Sequence, residues 1–257
     1  MKNGISFVVL CDRGTVRHTN QDNFWCKGQW LVSNNNGLEK KLAGTVPAAS
    51  MPAFAVFDGV GGEQYGEIAA FIAAKTFDAS PYDSSENSLE SHLLNVCREM
   101  NREICAFSDE QSVRQMGTTA AIIQFGGDKL TVCNVGDSKI FRFSGRVMTQ
   151  LSLDHVVSGV FDKKPPLSQC LGIPESEFLI EPYIRSIDYN AGDKFLLCSD
   201  GLTDMVSDDF IESVLSADVP LAAQAKHLMT SALANGGVDN TTIILCEVRP
   251  RKRLFQN

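Results

Sequence analysis

Two apolar runs in this chain end on an aspartate followed by glycine. Residues 53–62 read AFAVFDGVGG, and residues 195–201 read FLLCSDG. A carboxylate at the end of a buried strand is costly unless a positive partner meets it, and glycine lets backbone approach that partner closely. Each Asp-Gly pair alone also reads as an ordinary turn. Five aspartates from distant segments share the pattern: Asp22, Asp58, Asp137, Asp200 and Asp239, each beside a small or turn-forming neighbour. If they converge, their repulsion has to be cancelled, which multivalent cations do efficiently. The candidate ligands are all oxygens, with no His or Cys spacing beside them, so Mg²⁺ or Mn²⁺ fits and zinc does not. Arg17, five residues before Asp22, is a natural clamp for a phosphate dianion next to such a site.

The elements that must carry these residues are legible as patterns. Residues 5–10, 194–198 and 241–248 read as strands, and 24–32 as a strand pair or hairpin arm. Residues 33–52 are unpatterned and are expected to be an exposed excursion. Residues 63–77 read as an alanine-rich helix whose glycine-rich start brings free N–H groups near Asp58. Residues 79–86 read as a linker. Residues 89–107 form the clearest helix, with apolar residues at three- and four-residue steps. Residues 119–125, 129–135, 139–143 and 147–151 alternate with turn residues and predict a meander of hairpins. Residues 154–188, with four prolines, predict an irregular flap. Helices follow at 208–215 and 221–233. Strands cluster instead of alternating with helices, which points to α+β with antiparallel sheets covered by helices.

The totals narrow the classes. The chain has 257 residues, 44% apolar and 21% charged, with a net charge of −8. It can bury a real core, and the charge argues against nucleic acid as a partner. Eight cysteines lie scattered without a C-x-x-C pair, which fits reduced, buried thiols. No signal sequence or membrane-length apolar run stands out. These features predict a cytoplasmic location.

In order along the chain stand Arg17-x-x-Asn20-Gln21-Asp22, Asp58-Gly59-Val60-Gly61-Gly62, Met116-Gly117-Thr118-Thr119, Val135-Gly136-Asp137-Ser138, Cys198-Ser199-Asp200-Gly201 and Asp239-Asn240-Thr241-Thr242. The set resembles the motifs of the metal-dependent Ser/Thr protein phosphatases of type 2C, across nearly the whole chain. The resemblance implies a central β-sandwich of two antiparallel sheets flanked by helix pairs. It implies one stand-alone bacterial-type catalytic domain over residues 1–248, with a disordered basic tail at 249–257. It also implies hydrolysis of phosphoserine and phosphothreonine on proteins by a metal-bridged hydroxide. Two Mn²⁺ or Mg²⁺ ions would be bridged by Asp58, with the Gly59 carbonyl on one and Asp200 and Asp239 on the other. Asp22 would act through bound water, Asp137 with Asp200 would hold a third ion, and Arg17 would bind the substrate phosphate. The implied partners are phosphorylated proteins and a cognate kinase, with no nucleic acid or membrane, and the chain a monomer in signalling.

Two positions depart from the family. Val60 stands where some members have a histidine able to protonate the leaving oxygen, and Gln21 where some have glutamate. His155 is expected to be structural. Two rivals exist. Cys11-x-x-Gly14-x-x-Arg17 fits the phosphate loop of cysteine phosphatases, with Cys11 as nucleophile. A catalytically silent phosphoprotein-binding domain is the other, and it predicts a missing metal ligand.

Overall fold

The computed structural model describes residues 4–60, 65–83, 88–113, 116–127, 129–161 and 164–250. The strands are β1 (Gly4–Asp12), β2 (Asp22–Cys26), β3 (Leu42–Pro47), β4 (Ala53–Val60), β5 (Gly117–Thr118), β6 (Ala120–Gly126), β7 (Lys129–Val135), β8 (Lys139–Ser144), β9 (Val147–Gln150), β10 (Tyr183–Asp188), β11 (Lys194–Cys198) and β12 (Thr241–Arg249). The helices are α1 (Gly66–Ala79), α2 (Leu89–Gln111), α3 (Asp200–Thr203), α4 (Asp208–Ser216) and α5 (Leu221–Ala234). Among the described residues the strands form two antiparallel sheets. One has the order β3-β1-β12-β11-β8-β9, the other β10-β7-β6-β4-β2, with β5 paired to β4.

Side-chain alternation builds the layers. On β1, β4 and β12 the residues Ile5, Phe7, Val9, Phe54, Val56, Ile244 and Cys246 point between the sheets and fill the central core. The opposite parity faces helices. Ala55 and Phe57 pack under the alanine face of α1 and the Leu93, Val96, Met100 and Ile104 stripe of α2. Val8, Leu196, Ile243 and Leu245 pack under α4 and α5 through Ile211, Leu215, Ala225 and Leu228. The result is the α-β-β-α sandwich that the resemblance implies. Ser88 caps α2 and Ser207 caps α4, each accepting an N–H of the first turn, in the usual manner of serine at a helix start. No helix among the described residues is long and apolar enough to cross a membrane.

Several expectations need correction. The excursion at 33–52 contains β3, which pairs with β1 along Gly4↔Pro47 to Val9↔Leu42. Its residues are mostly exposed, as suits an edge strand, so no apolar alternation betrays it. The hairpin arm at 24–32 ends at Cys26, where Lys27 and Gly28 turn at positive φ. The expected meander is broken. β6–β7 and β8–β9 are hairpins, but β7 and β8 belong to different sheets. The last residues of the expected flap form β10, the edge partner of β7. Asp200 opens the short helix α3 instead of a simple turn. The glycine-rich start expected for α1 falls partly on residues 61–64, part of the linker on 84–87, and most of the tail on 251–257; these lie outside the described residues. Arg249 is the last residue of β12.

Candidate metal and phosphate site

The same alternation that fills the core delivers the chemistry to one end of it. On β2, Phe24 and Cys26 point between the sheets, so Asp22 does too. On β4, Phe54 and Val56 point there, and Asp58 continues the series. The two aspartates are direct partners across the ladder. From the opposite sheet, Ser199 follows β11 and Thr242 lies on β12. Their hydroxyls both donate to Asp22 Oδ2 at 2.7 Å, while Thr242 N–H holds Ser199 Oγ at 2.9 Å. The core therefore ends in a polar plug that ties the sheets together.

Asp22 is 2% exposed. Its Oδ1 has no hydrogen-bond partner, and a buried oxygen without one is a standing cost. Burial pushes its carboxyl up to about 7. The two hydroxyls oppose that rise and the charges of Asp200 and Asp239 add to it. Asp58 is raised well above the ordinary carboxylate range, first by burial and then by repulsion from Asp200, Asp22, Asp137 and Asp239. Asp200 is raised as well, by burial against the pull of Lys164. The five aspartates are thus near enough to act on one another. Among the described residues, however, no three carboxylate, imidazole or thiol groups are closed up as a coordination shell. Like charges hold apart, and side-chain cations stand among them. Arg17 Nη2 is 2.7 Å from Asp239 Oδ2, and Lys164 Nζ is 2.8 Å from Asp137 Oδ2 and in contact with Asp200. An all-oxygen donor set, an orphaned buried oxygen and carboxylates that resist ionisation fit hard divalent cations.

The backbone around Asp58 is pinned by the Thr118-Thr119 pair. Thr119 N–H and the Thr118 hydroxyl donate to Asp58 O at 2.8 and 2.9 Å, and Asp58 N–H donates to Thr119 Oγ1 at 3.1 Å. Gly59 has no room for a side chain: a Cβ there would lie 2.3 Å from Gly66 O and 2.6 Å from Gln21 O. Gly201 is equally constrained, since a Cβ would meet Asn240 O at 2.0 Å. These contacts explain the glycine after each aspartate as packing of one backbone on another.

Asn240, next to Asp239, latches the Arg17 segment. Its Nδ2 donates to Arg13 O at 2.8 Å and Thr19 O at 3.0 Å, and its Oδ1 accepts Gln21 N–H at 2.8 Å. Thr15 adds a backbone bond to Gly237 at 2.8 Å. Arg17 is held at both ends of its loop, with its side chain still 46% exposed. Its pKa is raised, chiefly by the hydrogen bond to Asp239.

His155 proves to be a brace. Its N–H donates to Gly136 O at 3.0 Å, and Gly136 N–H donates to His155 Nδ1 at 3.1 Å. This locks the turn that bears Asp137. The cysteine-phosphatase alternative fails on the same ground as any buried nucleophile. Cys11 is 3% exposed in the inter-sheet core, and burial pushes its thiol up to about 12, with the charge of Asp22 adding to the rise. A thiolate is not available there.

Structure therefore brings Arg17, Asp22, Asp58, Asp137, Asp200 and Asp239 to one end of the sandwich. Sequence reasoning missed the roles of Ser199, Thr242, Thr119, Asn240 and Lys164. The first four sit inside the motifs, beside the aspartates they serve, and small polar residues at strand ends were the available signal. Lys164 had only its place before Pro165-Pro166.

Comparison with known proteins agrees with this geometry. Residues 41–235 match the family described as Protein phosphatase 2C. The chain is 28% identical to the serine/threonine phosphatase stp of Listeria monocytogenes, over 92% of this chain and 93% of that protein. It is also 28% identical to the serine/threonine protein phosphatase PstP of Mycobacterium tuberculosis, over 95% of this chain and 45% of that longer protein. The crystal structure of PstP superposes with a TM-score of 0.78 at 26% identity, covering 96% of this chain and all of that one. The PstP catalytic domain in complex with two manganese ions gives 0.76 at 27% identity, with the same coverage. The fold, the ordered motifs and these likenesses agree: the chain belongs to the protein phosphatase 2C family.

Proposed function

We propose that this chain hydrolyses phosphoserine and phosphothreonine in proteins, with Mn²⁺ or Mg²⁺ as cofactor. The observation that carries this reading is Asp22 Oδ1, a buried carboxylate oxygen without a partner, surrounded by four more aspartates at the end of the sandwich. The PstP catalytic domain holds two manganese ions. In this chain Asp58, the Gly59 carbonyl, Asp200 and Asp239 would hold two such ions. Asp22 would bind their hydration water, and Asp137 with Asp200 would face a third position. Ions bound there supply Lewis acidity, lower the pKa of water and neutralise the substrate phosphate.

The chain's own residues do the rest. Asp239 orients Arg17, leaving the other donors of its fork for the phosphate. Its fixed charge stabilises the spreading negative charge of phosphoryl transfer. Ser199 and Thr242 keep Asp22 aimed by holding its other oxygen. On this reading water activated at the metal site attacks phosphorus directly, and no covalent phosphoenzyme is needed. Val60 cannot donate a proton to the leaving oxygen, so that proton comes from solvent.

The substrates on this reading are proteins phosphorylated by a Ser/Thr kinase, in cytoplasmic signalling, with the chain a monomer. The net charge of −8 supports the exclusion of nucleic acid. On this reading the catalytic domain reaches through β12, whose last residue is Arg249. The test is release of phosphate from a phosphothreonine peptide with EDTA and after Mn²⁺ add-back. Hydrolysis lost to EDTA and restored by Mn²⁺ supports the proposal. Binding of the peptide without hydrolysis in Mn²⁺ would replace it with the silent binding domain.

A further inference from the structure

A loop outside the family's aspartate motifs reaches into the site. The loop is closed at its base by the bridge Val156↔Leu167 and by Val157 N–H on Pro166 O at 2.9 Å. Near its far end Lys164 turns back toward the carboxylates. Its Nζ lies 2.8 Å from Asp137 Oδ2, contacts Asp200 Oδ2 and lies 3.6 Å from Asp204 Oδ2. Two features make this a built contact. Lys164 precedes Pro165, which precedes Pro166, so its backbone is confined to extended conformations. The residue just before the loop, His155, is bonded through both backbone and ring to Gly136, which ties the start of the loop to the Asp137 turn.

We infer that Lys164 is a tethered cation standing where Asp137 and Asp200 would otherwise take a third divalent ion, so that this chain binds that ion weakly and works with two. The inference rests on the metal site proposed above. An ammonium and a divalent ion repel each other strongly at such separations, so the two cannot share the same pair of oxygens. Lys164 also competes from within the chain. Because it is tethered, it stays beside these carboxylates at a fixed effective concentration, whatever the ion concentration in solution. The ammonium makes no demand for six oxygen ligands, so it can serve where the carboxylates are too few or too far apart for Mg²⁺ or Mn²⁺.

The test counts ions. Mn²⁺ binding to the whole chain is measured by isothermal titration and by elemental analysis after equilibrium dialysis, for the natural protein, Lys164→Gln and Lys164→Arg. The expected result is two ions in the natural protein and in Lys164→Arg. Lys164→Gln should take up a third, with affinity for it raised about tenfold or more, the factor that 1.4 kcal/mol represents. Equal third-ion binding in the natural protein and Lys164→Gln overturns the inference and leaves the two-ion site standing. A natural protein that binds no Mn²⁺ overturns the metal site and this inference with it.

Discussion

Asp22 and Asp58 stand directly opposite each other on antiparallel β2 and β4, both on the face that the sandwich buries. Two carboxylates in that relation repel, and burial removes the water that would screen them. The chain accepts this cost at the end of an otherwise apolar core.

Stability of the ion-free protein should depend on pH with an unusual sign. Asp22 is raised from 3.8 to about 7 by burial, and Asp58 and Asp200 are raised too. The folded chain therefore holds protons that the unfolded chain releases, and stability falls as pH rises through that window. Thermal unfolding in EDTA should show Tm declining from about pH 4 to about pH 8, by several degrees, since 1 kcal/mol moves Tm about 2–4 °C at this size. Saturating Mn²⁺ should remove the decline, because a cation favours the ionised carboxylates. Asp22→Asn should flatten it in EDTA. A Tm that climbs with pH in EDTA would contradict the site described.

Asp58→Ala, Asp200→Ala and Asp239→Ala should each abolish Mn²⁺-dependent hydrolysis of an aryl phosphate. Near-normal rates in all three would refute the assignment. Asp137→Ala should reduce turnover while two ions still bind, which calorimetric titration with Mn²⁺ would show.

Ser199→Ala and Thr242→Val remove the hydroxyls that hold Asp22 Oδ2. Partners of this kind typically contribute about 10–100-fold to metal affinity, so the Mn²⁺ concentration for half-maximal activity should rise by that order. An unchanged Mn²⁺ dependence would show that Asp22 needs no aiming.

Arg17→Ala should act mainly on KM, raising it roughly tenfold or more, as expected for a hydrogen bond to a charged group. Arg17→Lys should recover only part of the loss, because a point charge cannot form the fork. Asn240→Ala should damage both stability and KM. It loses three hydrogen bonds, at about 1 kcal/mol each, and frees the Arg17 segment. Denaturant titration and steady-state kinetics on the same variant separate the two effects.

Alkylation of cysteines in the native protein should leave activity intact, since the Cys11 thiol is buried and pushed up to about 12. Cys11→Ala should retain turnover. Loss of activity in step with modification of Cys11 would revive the cysteine mechanism.

Read alone, the chain already determined the α+β class, with antiparallel sheets covered by helices, and the candidate aspartates. Local pattern carries that information: the apolar stripe of α2, the apolar β-type runs of β6, β7 and β12, and an aspartate at the end of each decisive run. It also placed Arg17, whose distance from Asp22 is short in sequence. Tertiary structure decided what depends on long-range pairing. β3 is an exposed edge strand whose place beside β1 comes from register, which no local pattern encodes. β7 and β8 look like hairpin partners but feed opposite sheets. Only that sheet assignment sets Ser199 and Thr242 across from Asp22. Lys164 reaches Asp137 and Asp200 from a segment distant from both in sequence. Side-chain period reveals which face a residue occupies, whereas the neighbour across the core is chosen by strand order and register.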